Sequence, residues 1–169
     1  MPVSRSESRK GYGMPKEIER KFLVDSDKLR EACKHVAFPS GSLITQGYLA
    51  FEPSVRVRLK EASKAFLTIK GSGLLSRDEF EYEIPRADGE KLIALCPSVI
   101  TKMRYTLAQV RGKTWEVDEF LDAFKGHYLA EVELLTEDEP FEKPSWVTQE
   151  VTEDPRYQNV WLAQHGWPT

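Results

Sequence analysis

Glu17-Ile18-Glu19-Arg20-Lys21 sets ionisable side chains at every second position. The same spacing returns in Val55-Arg56-Val57-Arg58-Leu59-Lys60, Leu67-Thr68-Ile69-Lys70, Glu79-Phe80-Glu81-Tyr82-Glu83, Lys102-Met103-Arg104-Tyr105, Trp115-Glu116-Val117-Asp118 and Glu131-Val132-Glu133-Leu134. Alternate residues of a β-strand share a face, so each run gathers its charges on one surface and its apolar residues on the other. Sign is kept strand by strand: acidic and ending in Lys21, then basic, basic, acidic, basic, acidic, acidic. Neighbouring like charges raise the free energy of a fold that binds nothing, so counter-charged ligands are expected. Carboxylate pairs such as Glu81 with Glu83 and Glu131 with Glu133 suit a hard divalent cation, and rows such as Arg56, Arg58 and Lys60 suit an anion of several charges. Magnesium commonly bridges carboxylates to phosphate oxygens, and guanidinium and ammonium groups take the oxygens that remain. A polyphosphate with its metal would neutralise both halves. For any single strand the plainer account is the solvated side of an antiparallel sheet. Seven strands, each nearly of one sign, exceed what solubility requires.

These runs need a scaffold of strands. After the first strand, Asp25 or Ser26 can cap a helix reaching to about His35, with Leu29 and Cys33 turned to a core. Phe38 to Gly41 breaks the chain, and Leu43 to Phe51 is a strand in which Gln46 and Tyr48 share a face. Gly71-Ser72-Gly73 turns a basic strand into the acidic one at Arg77 to Ile84. A helix over Asp88 to Leu95 stops before Pro97. A strand from about Val99 to Val110 then turns at Arg111-Gly112-Lys113 into Thr114 to Phe120, and His127 to Leu135 is the last long strand. Pro140, Pro144 and Trp146 suggest a loop. Asp154-Pro155 offers an N-cap with proline at the first helical position, for a helix to about His165 ended by Gly166. About eight hairpin-linked strands and three helices make an antiparallel α+β domain. The alternation fits either a closed barrel with the charges in a wet lumen and the helices outside, or an open sheet with a charged concave face.

At 169 residues the chain is about one domain long, and its net charge of -3 argues against a nucleic-acid binder with a basic surface. Cys33 and Cys96 lack CxxC spacing and read as reduced thiols, and no apolar run approaches the ~20 residues of a membrane span. A soluble cytoplasmic protein is expected. Residues 1–13 read as a disordered tail, a remnant of expression or an overlong start, ahead of one domain over 14–169.

The charged runs resemble the CYTH superfamily, the triphosphate tunnel metalloenzymes, whose ExExK signature matches Glu17-Ile18-Glu19-Arg20-Lys21. Gln46-Gly47-Tyr48-Leu49, Val55-Arg56-Val57-Arg58, Thr68-Ile69-Lys70, Glu81-Tyr82-Glu83, Lys102-Met103-Arg104-Tyr105, Glu116-Val117-Asp118 and Glu131-Val132-Glu133 follow in family order. Glu150-Val151-Thr152-Glu153-Asp154-Pro155-Arg156-Tyr157 resembles its C-terminal region. The resemblance implies an eight-stranded antiparallel tunnel that binds a triphosphate through Mg²⁺ or Mn²⁺. Among members, the chain most resembles the short bacterial tripolyphosphatases, in which a Lys and Tyr pair assists the attacking water; by motif position these are Lys102 and Tyr48. Lys21, Arg56, Arg58, Lys70 and Arg104 are then expected to hold phosphate oxygens. Glu17, Glu19, Glu81, Glu83, Asp118, Glu131 and Glu133 are expected to supply metal ligands, only some of them directly. The expected reaction is hydrolysis of inorganic tripolyphosphate to pyrophosphate and phosphate. Alternatives are a thiamine or nucleoside triphosphatase, a class IV adenylyl cyclase, or a noncatalytic polyphosphate-binding module. The outer face of a barrel could pair with a second copy.

Other chemistry finds less support. Gly112-Lys113-Thr114 lacks the first glycine of a P-loop, which would fall at Leu107. His35, His127 and His165 have no zinc spacing, and no GxSxG elbow is present. Trp146, Trp161 and Trp167 read as an aromatic cluster packing the last helix.

Overall fold

The alternation seen in the sequence becomes a wall of strands in the computed structural model, which describes residues 16–34 and 39–169. The tail at 1–13, Phe38 and His35 lie outside the described residues. In chain order the elements are β1 (Lys16–Val24), α1 (Ser26–Cys33), β2 (Ser42–Phe51), β3 (Ser54–Lys60), β4 (Lys64–Lys70) and β5 (Ser76–Ile84). They continue as α2 (Arg86–Leu95), β6 (Val99–Val110), β7 (Lys113–Phe120), β8 (Tyr128–Glu133), β9 (Val147–Glu150) and α3 (Asn159–His165). Short 3-10 turns occupy Asp122–Phe124 and Pro155–Tyr157.

The strands run in the order β5-β4-β3-β2-β6-β7-β8-β1, every pair antiparallel, and β1 pairs with β5 to close the barrel. Closure, left open by the alternation, rests on the pairs Lys16–Asp78, Glu17–Arg77 and Ile18–Ser76. Farther along the same edge β1 receives β9, a ninth strand that the sequence reading missed. It spans only Val147–Glu150, too short for alternation to show, and it falls where a loop was expected. The β6–β7 hairpin turns at Arg111 and Gly112, whose φ angles of 51° and 74° give the doubly left-handed turn suited to strand twist.

Outward-facing apolar residues build the main core. Phe22, Trp115, Val117, Ala130 and Val132 are buried on the outside of β1, β7 and β8, beneath Leu29 of α1 and Trp146. Burying a Val, Leu or Phe side chain there contributes on the order of 1.5–3 kcal/mol, and Ala130 less. The N-cap of α1 is Asp25, whose carboxylate accepts from the backbone N–H groups of Asp27 and Lys28. On the other flank α2 lies close over β3 and β4, because a Cβ at Gly89 would stand 2.6 Å from that of Ala65.

A second core closes one end of the barrel. Leu23, Ile100, Phe120 and Leu129 have the same strand parity as Lys21, Lys102, Asp118 and Glu131, so the inner face turns apolar there. Leu162 of α3, fully buried, packs against them at that end. The helix expected from Asp154 is split: Pro155–Tyr157 is a 3-10 turn, Gln158 is extended (ψ 136°), and α3 begins at Asn159. Among the described residues no helix is long and apolar enough to cross a membrane.

Candidate active site

Above this apolar floor the lumen opens into a cavity of about 640 Å³. Among the described residues, seven glutamates and eight lysines or arginines line it, so the wall is close to neutral and suits a ligand that carries both signs. The two signs are interlocked. Glu17 accepts from Lys70 Nζ at 2.6 Å and from Arg77 Nε at 3.2 Å, while Arg77 Nη2 donates to Glu19 at 3.2 Å. Glu131 pairs with Lys21 at 3.1 Å and with Arg104 Nη2 at 3.2 Å. Arg104 also donates to Glu116 and grips Asp118 through Nε at 2.6 Å and Nη2 at 2.7 Å.

Register explains these neighbours. Arg104 stands opposite Asp118, Lys21 opposite Glu131 and Glu19 opposite Glu133. Strand signs are grouped around the barrel, β4, β3 and β6 basic and β7, β8, β1 and β5 acidic, so cations at the boundary, Arg104 on β6 and Lys70 on β4, find carboxylates on the next strand. Burial pulls Glu131 upward, but Lys21 and Arg104 outweigh it and hold the carboxyl well below the ordinary range. Asp118 is lowered likewise, Arg104 and Lys102 overcoming its burial. Glu19 goes the other way: burial, then the negative charges of Glu131 and Glu17, raise it.

The basic wall is less satisfied. The Nε groups of Arg56 and Arg58 are buried with no hydrogen-bond partner. Burial and the neighbouring Arg56 and Arg104 push Arg58 down to about 10. Arg56 Nη2 donates to Thr68 at 3.3 Å, and the Thr68 hydroxyl donates to Glu81 at 3.0 Å. Unpaired buried donors are costly, so this wall is built for an acceptor that comes from outside the chain.

Lys102 has no exposed surface. Its Nζ donates to Asp118 at 2.5 Å and to the Asn159 side-chain oxygen at 3.3 Å. Burial outweighs Asp118 and, with Arg104 and Arg58, brings the amine down to about 7. Tyr48 is buried and accepts from Gln46 Nε2 at 3.3 Å, and burial raises its phenol. Lys102 pairs with Ile44, four residues from Tyr48 on β2, so the phenol and the amine approach only by leaning along the lumen. Gln46 stands between them on β2, its side chain bonded to the Tyr48 hydroxyl.

The cavity brings together Glu17, Glu19, Lys21, Tyr48, Arg56, Arg58, Lys70, Glu81, Lys102, Arg104, Glu131 and Glu133. Two expected metal ligands stand apart. Glu83 is exposed and does not line the cavity; it pairs with Phe66, one row beyond the Thr68–Glu81 row. Asp118 is 1% exposed and lies behind the lining, both oxygens taken by Lys102 and Arg104.

The candidate site residues read from the sequence left out Arg77, Glu79, Glu116, Gln158 and Asn159, all of which line the cavity. Glu79 and Glu116 stood in the charged runs without being given a role, and Arg77 shares the face of Glu79 and Glu81. Gln158 and Asn159 lie outside any alternating run. Three consecutive residues there accept from lumen cations: Tyr157 O from Lys21 (3.3 Å), Gln158 Oε1 from Arg77 (3.2 Å) and Asn159 Oδ1 from Lys102.

The CYTH domain model matches residues 15–164. The chain belongs to the CYTH family. Among its CYTH relatives, an inorganic triphosphatase of Acetivibrio thermocellus is 46% identical over 159 residues, 91% of this chain and 97% of that one. An inorganic triphosphatase of Nitrosomonas europaea is 37% identical over 159 residues, covering 87% of this chain and 96% of the relative. A solved inorganic triphosphatase structure superposes with a TM-score of 0.60 at 32% identity, over 90% of this chain and 97% of its own.

A divalent cation fits this CYTH cavity in part. Among the described residues no three His, Cys, Asp or Glu side chains converge as a ready-made cage. Magnesium does not need one, since one or two carboxylates with phosphate oxygens and water complete its shell. Burial raises Glu19 most and the charges of Glu131 and Glu17 add to it, and that crowding is what a cation would relieve.

Proposed function

We propose that the chain hydrolyses inorganic tripolyphosphate to pyrophosphate and phosphate, with Mg²⁺ or Mn²⁺ carried into the lumen. The two-signed cavity, closed at one end by α3 and retaining unpartnered Arg56 and Arg58 donors, carries this reading. It agrees with the activity named for the 46% identical relative.

In this reading Arg56, Arg58, Lys21, Lys70 and Arg104 hold phosphate oxygens. Glu17, Glu19, Glu131 and Glu133 hold the cation, and Glu81 keeps Arg56 in place through Thr68. The cation supplies charge neutralisation at the phosphate oxygens. Asp118 anchors Lys102 and Arg104 from behind.

Catalysis is positioning and electrostatics for in-line displacement at a terminal phosphorus. Lys102 forms cavity wall yet has no exposed surface. A water therefore meets its amine once the anion has drawn Arg58 and Arg104 onto its oxygens. An amine near 7 can accept a proton from that water at neutral pH, with Tyr48 orienting it. Water oxygen bonds to the terminal phosphorus as the anhydride bond breaks, giving P₂O₇⁴⁻, HPO₄²⁻ and a proton from P₃O₁₀⁵⁻ and water. Work in the cytoplasm accords with two thiols free of disulfide.

An assay with Mg²⁺ or Mn²⁺ against tripolyphosphate, ATP and thiamine triphosphate, quantifying phosphate, pyrophosphate and cyclic AMP, tests the reading. Tripolyphosphate should have the highest kcat/KM. Cyclic AMP as the main product would sink the hydrolase reading, and tight binding without turnover would leave a binding module.

A further inference from the structure

Lys102 Nζ is held on three sides. Its own Cε is one, Asp118 Oδ2 at 2.5 Å the second and Asn159 Oδ1 at 3.3 Å the third. Asp118 lies behind the cavity lining, whereas Lys102 and Asn159 both belong to it. The nearby Phe120 ring, its centroid 5.7 Å from Nζ, offers no competing strong acceptor. An sp³ nitrogen has four directions, so fixing three aims the fourth. With Asp118 alone, the amine could rotate about Cε–Nζ and present that fourth direction elsewhere.

The chain delivers Asn159 to this place by an irregularity. Gln158 is extended between the 3-10 turn and α3, is 6% exposed and is tied to Arg77. A continuous helix from Asp154 would have carried residues 158 and 159 along its own axis. The break turns both side chains to the lumen cations.

We propose that Asn159 is a positioning residue: with Asp118 it orients the Lys102 amine so that its remaining direction faces the triphosphate cavity. The proposal rests on the reading that Lys102 takes part in catalysis.

A double-mutant cycle tests it, with tripolyphosphate as substrate and Mg²⁺ present. Asn159→Ala should lower kcat about tenfold, the scale of one hydrogen bond to a charged or reacting group, with KM within about twofold. In a Lys102→Ala background the same change should leave kcat within about twofold, because the group it orients is gone. Calorimetric binding of tripolyphosphate to Asn159→Ala, close to the parent, shows the cavity intact. An equal loss of kcat in both backgrounds, or a loss of tripolyphosphate binding that accounts for the defect, overturns the role of Asn159 and leaves that of Lys102. If Lys102→Ala itself turns over like the parent, the reading of Lys102 falls, and this inference with it.

Discussion

Arg77→Met removes the charge that ties Glu17 to Glu19 while keeping most of the side chain's length. Arg77 is 11% exposed and lies 3.2 Å from each carboxylate, with Gln158 fixing its far end. Breaking a buried pair by removing one partner costs about 3–5 kcal/mol. Glu17 keeps Lys70 at 2.6 Å, while Glu19 loses its close ion pair and is already raised by burial and by the charges of Glu131 and Glu17. The lower end, about 3 kcal/mol, is therefore expected, a fall of roughly 6–12 °C in Tm for a domain of this size. A divalent cation should replace the missing charge. In thermal denaturation with and without millimolar Mg²⁺, the metal should raise Tm more in Arg77→Met than in the parent, by mass action on the folded state. An unchanged Tm, or a loss that Mg²⁺ does not reduce, would refute the argument that Arg77 and the metal serve the same carboxylates.

Three further outcomes separate roles within the cavity. Lys102→Ala should lower kcat by about 10²- to 10⁴-fold with little change in KM, the size of a lost general base; a raised KM at unchanged kcat would make Lys102 an anchor only. Because Lys102 acts unprotonated and its amine sits at about 7, kcat/KM should rise with pH up to about that value and level off above it. A profile flat from about pH 5 to about pH 9 would contradict that assignment. Glu83→Ala, on an exposed side chain outside the lining, should leave kcat/KM within about twofold and stability within about 0.5 kcal/mol; loss of activity would restore Glu83 to the site.

Much of the lumen was legible because strand parity and charge are read directly from residue order. Glu17, Lys21, Arg56, Arg104 and Glu131 needed only a period of two to fall on one face. Glu83 obeys the same period and still falls outside, because parity fixes a face and not where along the barrel the cavity ends. Asp118 looked like a metal ligand as a carboxylate on the charged face. Its pairing with Lys102 and Arg104 depends on register with β6, which alternation does not encode. Closure depended likewise on the β1–β5 pairs, and β9 was too short to leave a pattern. Gln158 and Asn159 carry no charge and sit at a break in helical structure, so their approach to Arg77 and Lys102 became visible only in three dimensions.

Metal-dependent hydrolysis is tested most directly by ³¹P NMR of tripolyphosphate incubated with the protein, with Mg²⁺ supplied and with Mg²⁺ chelated. Equal molar amounts of pyrophosphate and phosphate should form when the metal is supplied, and none when it is withheld. Undiminished hydrolysis under chelation, or intact tripolyphosphate in the presence of the metal, would contradict it.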